Sequence, residues 1–540
     1  KRSDAVIADF EWMSEALKEA YWSDRGDFFS GLAAYAHDAG ELQGSFSALA
    51  YDATLFRKSR LLESTIDEQD YEANREKLKT AYDVQRRTLK KMHSEGGYDP
   101  QAHDILAARV DSLDKALQQS WPEYAALKRN LSINWQQVQR GLSDKEVAIE
   151  FVRFYHAKDS LSRYGALVID ARCSSPTYVP LCSEDDLEKI MSEKALYESG
   201  RDFYDLLWAP LEPSLQGVDI VYYAADGLLN QIPFHSIILS RKGEPITYAM
   251  DRYELHKLTS TRYLALELKA AAQQPPAHSI AMLGGMDYDY LPGQSKSRRK
   301  GSGNKAKERS SQYSGQPLMY LEGTMKEVQE SAKQLKRQKT EYDVTTYTGV
   351  EAKEELLYEI DSIGVPGILH IATHGYAFPE MDFSDTTISE HSLRYVYRYS
   401  PYPMVRSGLI MTSGNWKWTG SDTLKTINPA NEDGILTAME VVDLPLDECK
   451  LVVLSACESA LGHIDEEEGT LGIVRGFKLA GVEQIMATLW SINDKKASEF
   501  MLAYYEHLAH NNNTIKAYQE TQLLMRNKYP TNPQYWAGFV

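Results

Sequence analysis

Apolar residues recur at helical intervals in the first quarter of the chain and at strand intervals beyond it. In SDAVIADFEWMSEALKEAY, Val6, Ile7, Phe10, Met13 and Leu17 fall on one helical face, with Ser3 placed to cap it. SFSALAYDATLFRKSRLLES repeats the pattern through Leu49, Leu55 and Leu61. Two charged segments, about 68–95 and 101–120, flank Gly96 and Gly97, which predicts a helical hairpin with solvated outer faces. From about residue 145 short β-rich runs take over. EVAIEFVRFYH, YGALVIDARC and VDIVYYAADG read as strands, with a helical stretch, DDLEKIMSEKALYESGRDFYDLLW, before the last. After residue 320 the alternation resumes. DVTTYT, GILHIATHG, SGLIMTSG, LVVLSAC and VEQIMATLWSIND predict strands, while TMKEVQESAKQLKRQ, GTLGIVRGFKLAG and KKASEFMLAYYEHLAH predict helices. Such alternation predicts an α/β architecture with a mostly parallel sheet.

These textures divide the chain into a helical region over 1–140, a first α/β half over 145–290 and a second over 318–540. Between the halves, residues 291–317 are rich in Gly, Ser, Lys and Arg, with Glu308 as their single acid. That composition buries no core and predicts a flexible, exposed loop: a solvated insertion, a processing site or a docking arm. Arg298, Arg299 and Lys300 are its candidate self-cleavage points.

At 540 residues and 43% hydrophobic content the chain has material for several cores. A net charge of −18 disfavours direct nucleic-acid binding and attachment to anionic membranes. No apolar run reaches the roughly 18 residues of a membrane span. The four cysteines, Cys173, Cys182, Cys449 and Cys457, form no CxxC pair, and no Cys/His cluster has zinc spacing. A reducing, cytoplasmic setting with no disulfide framework and no metal is expected. The chain opens KRSDAVIADFEWM, without an initiator methionine, as expected of a piece of a longer protein beginning inside a helical region.

Two predicted strands end on reactive groups. GILHIATHG gives His374 and Gly375 just past its apolar run, and LVVLSACES gives Cys457. In an open α/β sheet, working groups collect beyond the carboxyl ends of the strands. Should these two strands be neighbours, an imidazole and a thiol meet at one edge, as a Cys–His pair for attack on a carbonyl. The amides of Gly375 and Cys457 would then form an oxyanion hole. Blander readings stand beside this one: a buried cysteine is a small hydrophobe, and a strand-end histidine is often a polar cap. His370, inside the β-run, reads as a packed structural residue. His463, in the polar turn GHIDEEEG with Asp465, Glu466, Glu467 and Glu468, is a weaker rival base. No GxxxxGK[ST] loop exists, which weakens a nucleotide-binding reading.

Several ordered stretches together resemble the CHAT domain, the caspase- and separase-like module often found behind tetratricopeptide repeats. They are YYAADGLLNQIPFHSI, LEGTMKEVQE, HIATHG, DGILTAMEVVDLPLDECKLVVLSACESALG, EEGTLGIVRGFKLAGVEQIMATLWSIND and the terminal YWAGFV. The likeness covers about 145–540. SALAYDATLFRKSRLL resembles repeat-type helices, without a full 34-residue period. The resemblance implies an α/β caspase-like fold of two halves, a mostly parallel sheet flanked by helices, behind an all-α N-terminal region. It implies a cysteine endopeptidase with His374 as base, Cys457 as nucleophile and no cofactor. SACES departs from the caspase QACRG-type signature, so a caspase's preference for Asp is not carried over.

By the same resemblance MATLWSIND lines the S1 pocket, with Trp490 as a wall and Asp494 at its base, favouring Lys or Arg at P1. Alternatively Asp494 caps the helix that begins KKASEF. Asp433, in NEDGILT, is a second acidic candidate or a turn residue. The implied partners are a protein substrate and a regulatory protein or ligand acting on the helical region. Bacterial defence or programmed cell death is the family's setting. The competing reading is a catalytically silent CHAT domain serving as a protein-binding scaffold.

Overall fold

The computed structural model describes residues 27–39, 43–58, 82, 84–89, 91–92, 100–119, 133–265, 278–291, 317–338, 342–378, 397–420, 432–465 and 469–540. The helix expected over residues 3–21, the Gly96–Gly97 turn and most of the basic loop, with Arg298, Arg299 and Lys300, lie outside the described residues. The chain divides into two compact units. One comprises 1–68, 111–273 and 464–470, the other 69–110, 274–463 and 471–540. Among the described residues no helix is long and apolar enough to cross a membrane.

The first unit holds helices α1 (Asp27–Asp38) and α2 (Gln43–Arg57), which pack on each other and on a five-stranded sheet. Helix α3 (Pro100–Gln119) crosses the division between units. Helix α4 (Trp135–Arg140) opens with a capping box in which Asn134 and Gln137 exchange side-chain and backbone bonds. The strands are β1 (Glu146–His156), β2 (Leu161–Asp170), β3 (Thr177–Ser183), β4 (Ile220–Ala224) and β5 (Glu254–Leu258), in the order β3-β2-β1-β4-β5. Helix α5 (Glu184–Glu193) follows β3 and is capped by Ser183.

This sheet departs from the mostly parallel expectation. β1 pairs with β4, and β4 with β5, in parallel, but β1–β2 and β2–β3 are antiparallel. The reason is the link. Only residues 157–160 join β1 to β2, too few for a crossover, and Ser160 takes a left-handed φ of 59° to close the hairpin. The sheet buries Val147, Ile149, Phe151 and Val221 on one face against Phe203, Leu207 and Trp208, and Val152, Phe154, Leu167 and Ile169 on the other against Ala36, Tyr51 and Leu55 of the helices.

The second unit is built on β6 (Ser279–Gly284), β7 (Asp343–Thr348), β8 (Ile368–Ala372), β12 (Leu451–Ser455) and β15 (Gln484–Met486). Their order is β15-β12-β8-β6-β7, and every pairing is parallel. β8 and β12 are buried along their whole length, which is why both read as unbroken apolar runs. Three further strands, β9 (His374–Ala377), β10 (Ser407–Ile410) and β11 (Ile435–Thr437), form a small antiparallel sheet in the order β11-β10-β9. β13 (Gly462–Asp465) and β14 (Gly469–Gly472) pair as a ribbon, so His463 stands on a strand rather than in the loop expected for it.

Helices α6 (Glu322–Gln338), α7 (Ile473–Leu479), α8 (Asp494–Asn511) and α9 (Thr514–Lys528) complete this unit, with α6 packed on α8 and α8 on α9. The terminal YWAGFV runs alongside residues 487–489, with Leu489 donating to Gly538 and Ala487 and Val540 exchanging backbone bonds.

Candidate active site

The parallel register brings the two reactive strand ends together. Val453 stands beside His370 and Ser455 beside Ala372, so β8 and β12 finish level with each other. Each then runs two residues beyond its last paired position, to His374 and to Cys457. The Thr373 amide donates to the Ser455 carbonyl at 3.3 Å and holds the two extensions side by side. β7 and β8 lie on opposite sides of β6, so the order of the sheet reverses at the β6–β8 boundary, where an open α/β sheet leaves a crevice at its carboxyl edge.

Gly375 is required by this close approach. A β-carbon there would lie 2.7 Å from the Cys457 carbonyl oxygen and 3.3 Å from Ala456 Cβ. Along β9 and β10, Phe378 donates to the Arg406 carbonyl. Stepping back in pairs through that register, Gly375 faces Leu409 at a position between the ladder's hydrogen-bonded pairs. Its amide is therefore directed away from β10. After the cysteine the chain turns sharply, with Glu458 at a left-handed φ of 55°. For a residue other than glycine that conformation is strained, and such strain gathers at working sites.

The imidazole of His374 is held by a group that no motif announced. Its Nε2 lies 2.8 Å from the carbonyl oxygen of Met319. A carbonyl only accepts, so Nε2 carries the hydrogen and, in the neutral ring, Nδ1 carries the lone pair. The Met319 segment is itself anchored. Asn415, buried, accepts from the Leu318 amide at 2.6 Å, donates to the Leu318 carbonyl at 2.9 Å, and donates to Asp289 Oδ1 at 3.0 Å. Tyr288 completes the support: its ring centroid is 5.2 Å from that of His374 and its hydroxyl is 3.0 Å from Thr373 Oγ1. The thiol of Cys457 lies 3.2 Å from Ser491 Oγ. Sequence reasoning passed over Met319, Asn415, Tyr288 and Ser491. Ser491 alone had a visible signal, as a hydroxyl inside MATLWSIND.

The other candidates fall elsewhere. His370 is fully buried, with Nε2 3.0 Å from Glu327 Oε1 and Nδ1 2.8 Å from the Tyr505 hydroxyl, the structural role expected of it. Asp433 accepts from the Ile435 amide at 3.0 Å in its own turn and pairs with Lys417 at 3.7 Å, as a turn residue does. Trp490 adjoins Ser491, but its indole donates to the Gln534 carbonyl at 3.1 Å and lies against Gly538. The cap of α8 is Asn493, which accepts from Lys495, so Asp494 is the first helical residue and not the cap. The Asp494 carboxylate rests on the first turn of α6 instead. A β-carbon on Gly323 would sit 1.8 Å from its Oδ2. A carboxylate is favoured at a helix N-terminus, and this one braces the turn that follows Met319.

The cysteines outside this edge sit where burial disfavours the thiolate. Burial pushes the Cys182 and Cys449 thiols up to about 12, and burial also raises Cys173.

Residues 197–540, more than half of the chain, match the family model described as CHAT domain. Tetratricopeptide repeat protein 28 of Mus musculus is 30% identical over 116 residues, 21% of this chain and 4% of that protein. Its Homo sapiens counterpart is 28% identical over 113 residues, again 4% of its length. The chain thus matches only a small part of either relative. Among solved structures, the Arg-specific cysteine proteinase gingipain R aligns over 65% of this chain and 67% of its own, at 8% identity and a TM-score of 0.31. The separase–securin complex of Saccharomyces cerevisiae aligns over 91% of this chain and 40% of its own, at 9% identity and a TM-score of 0.40.

Proposed function

The chain belongs to the CHAT domain family, and from that premise we propose that it is a caspase- and separase-like cysteine endopeptidase working through His374 and Cys457. The observation that carries this reading is the β8–β12 register, which ends both strands level and sets an imidazole and a thiol two residues beyond. Nδ1 of His374 takes the thiol proton, and Sγ of Cys457 attacks the scissile carbonyl carbon. The tetrahedral oxyanion accepts hydrogen bonds from the amides of Gly375 and Cys457. The imidazolium then protonates the departing amine as the C–N bond breaks, and water hydrolyses the thioester, returning the proton to the enzyme. The Met319 carbonyl keeps the ring in the required tautomer throughout and stabilises its charged form.

Selection of Arg or Lys at P1 rests on Asp494, at the end of the segment that carries Ser491. Its contact with Gly323 is a competing, positioning use of the same carboxylate. Regulation through the helical region is supported by a second set of contacts. Lys91 of that region pairs with Glu432, Arg86 approaches Asp443 at 4.0 Å, and the Arg87 guanidinium lies 3.4 Å above the Tyr358 ring centre. The dyad is also covered, with Cys457 1% and His374 3% exposed, which fits a restrained enzyme that opens on a signal. A reducing, cytoplasmic setting is the compartment proposed for the chain.

That same burial favours the alternative of a silent scaffold. An electrophilic thiol probe with a peptide recognition element separates the two readings. The endopeptidase is labelled at Cys457 and releases new protein termini when incubated with a proteome. A chain with no labelling and no new termini, with or without its N-terminal contacts loosened by Lys91→Ala, is a scaffold.

A further inference from the structure

The end of α1 and the end of β1 converge on a group of side chains with no part in the proposed chemistry. His37 and Asp38 close α1, and His156 closes β1. One potential ligand atom from each lies within 4.8 Å of the other two. Asp38 Oδ1 and His156 Nε2 are 3.3 Å apart. Ligand arms of about 2.0–2.1 Å give a tetrahedron an edge of roughly 3.3 Å, so one edge of a zinc site is already set.

We propose that His37, Asp38 and His156 form a binding site for a divalent transition metal of borderline softness, zinc foremost, with water as the fourth ligand. The outer groups already orient the ligands. Nδ1 of His156 donates to Asp159 Oδ1 at 2.8 Å, and Asp159 is held in turn by Arg163. That carboxylate–imidazole pairing turns the Nε2 lone pair of His156 toward Asp38. Nδ1 of His37 lies 3.1 Å from the Tyr178 hydroxyl, which leaves Nε2 of that ring as its ligand atom. The two rings stand edge to face, with centroids 5.0 Å apart.

Charge favours a cation here as well. The site sits at the carboxyl end of α1, where the helix dipole is negative. Lys158 pairs with Oδ2 of Asp38 at 2.8 Å, leaving Oδ1 to the metal. The Lys158 side chain is largely exposed and can swing aside. A bound metal would clasp the last turn of α1 to β1 and so hold a helix of the N-terminal region on the sheet. Imidazole and carboxylate ligands select zinc, cobalt or nickel over magnesium or calcium.

The test uses the whole chain, stripped with chelator and titrated with Co²⁺ and then Zn²⁺. One equivalent of Co²⁺ should give the visible bands of a four-coordinate nitrogen and oxygen site, without the sulfur charge-transfer band that cysteine ligands produce. Zinc should displace it and raise the melting temperature. His156→Asn and His37→Asn should lose the bands and the thermal shift, and Asp159→Asn should weaken binding by about 10- to 100-fold. Lys158→Met should tighten it. X-ray absorption on the zinc-loaded wild-type chain checks the first shell without relying on any variant. Sulfur in that shell, absence of stoichiometric binding, or unchanged binding in folded His156→Asn and His37→Asn would overturn the proposal.

Discussion

The two five-stranded sheets differ in what stands at their carboxyl edges and in how those groups are used. At the edge of the first sheet, Asp226 follows β4 and Glu150 stands beside Ala224, both buried. Arg57 pairs with Asp226 and Lys58 with Glu150. Glu150 also accepts from the Thr261 amide at 2.6 Å and its hydroxyl at 2.7 Å, and Asp226 from the Arg153 amide at 2.8 Å. Every one of these groups is bound in place, and the result fastens α2 to its sheet. At the edge of the second sheet stand His374, with the Met319 carbonyl on its Nε2, and Cys457, with the Ser491 hydroxyl beside its thiol. Under the proposed function the first strand end serves as a lock, its charges neutralised by buried partners, and the second as a working site, its groups aimed toward a substrate.

The sharpest break of that comparison is removal of the dyad. Cys457→Ala and His374→Ala should each lower peptide cleavage by about 10⁴-fold or more while leaving the melting temperature within a few degrees of wild type. Cys173→Ala, Cys182→Ala and Cys449→Ala should retain most activity. Either dyad variant with near-wild-type turnover in a steady-state peptide assay sinks the assignment.

The first sheet should respond in the opposite sense. Lys58→Met leaves the Glu150 carboxylate buried without its charge partner and should cost about 3–5 kcal/mol in denaturant unfolding of the first unit. A loss below about 1 kcal/mol would mean the pair is not a lock.

Between these extremes lie the groups that only aim the dyad. Asn415→Ala frees the Leu318–Met319 segment and should reduce kcat about 100-fold with KM little changed, since a misplacement of 1 Å has that effect on a positioned base. A rise in KM alone would place Asn415 in substrate binding instead. Asp494→Asn sharpens the same point. As the pocket acid it would selectively lose P1 Arg and Lys peptides, whereas as the brace on Gly323 it would slow all peptides alike.

The smallest expected effect is a pH slope in the second unit. Burial, and then the charge of Asp433, push Glu440 up to about 8, and burial with Glu440 beside it raises Glu354 as well. The folded state therefore binds more protons than the unfolded chain between the usual glutamate range and about pH 8. This contribution to stability is complete at low pH and fades as pH rises through about 8. Thermal unfolding should show a midpoint that falls from pH 5 to pH 8, and Glu440→Gln should flatten the slope. A midpoint that climbs over that range would contradict the assignment.

Much of this was legible in the residues alone. The runs ILHIA and LVVLS are apolar at every position because β8 and β12 are buried on both faces, and a polar residue just past such a run has to lie at a sheet edge. That marked His374 and Cys457 as candidates at a sheet edge, and the resemblance to the CHAT domain supplied the roles proposed for them. The antiparallel part of the first sheet was also written in the four-residue link before Leu161, although its strands alone suggested parallel pairing. What the sequence could not hold was any relation between distant segments. The Met319 carbonyl that fixes the His374 tautomer is a backbone group, and backbone groups leave no mark in composition. Asp494 looks the same in sequence whether it floors a pocket or braces Gly323, because only the packing of α8 on α6 decides which atoms its oxygens meet. His37, Asp38 and His156 carry no metal-binding spacing, since their ligand atoms converge only when α1 is laid across the end of β1. Periodicity reports which side of its own element a residue faces. The tertiary structure decides what is waiting there.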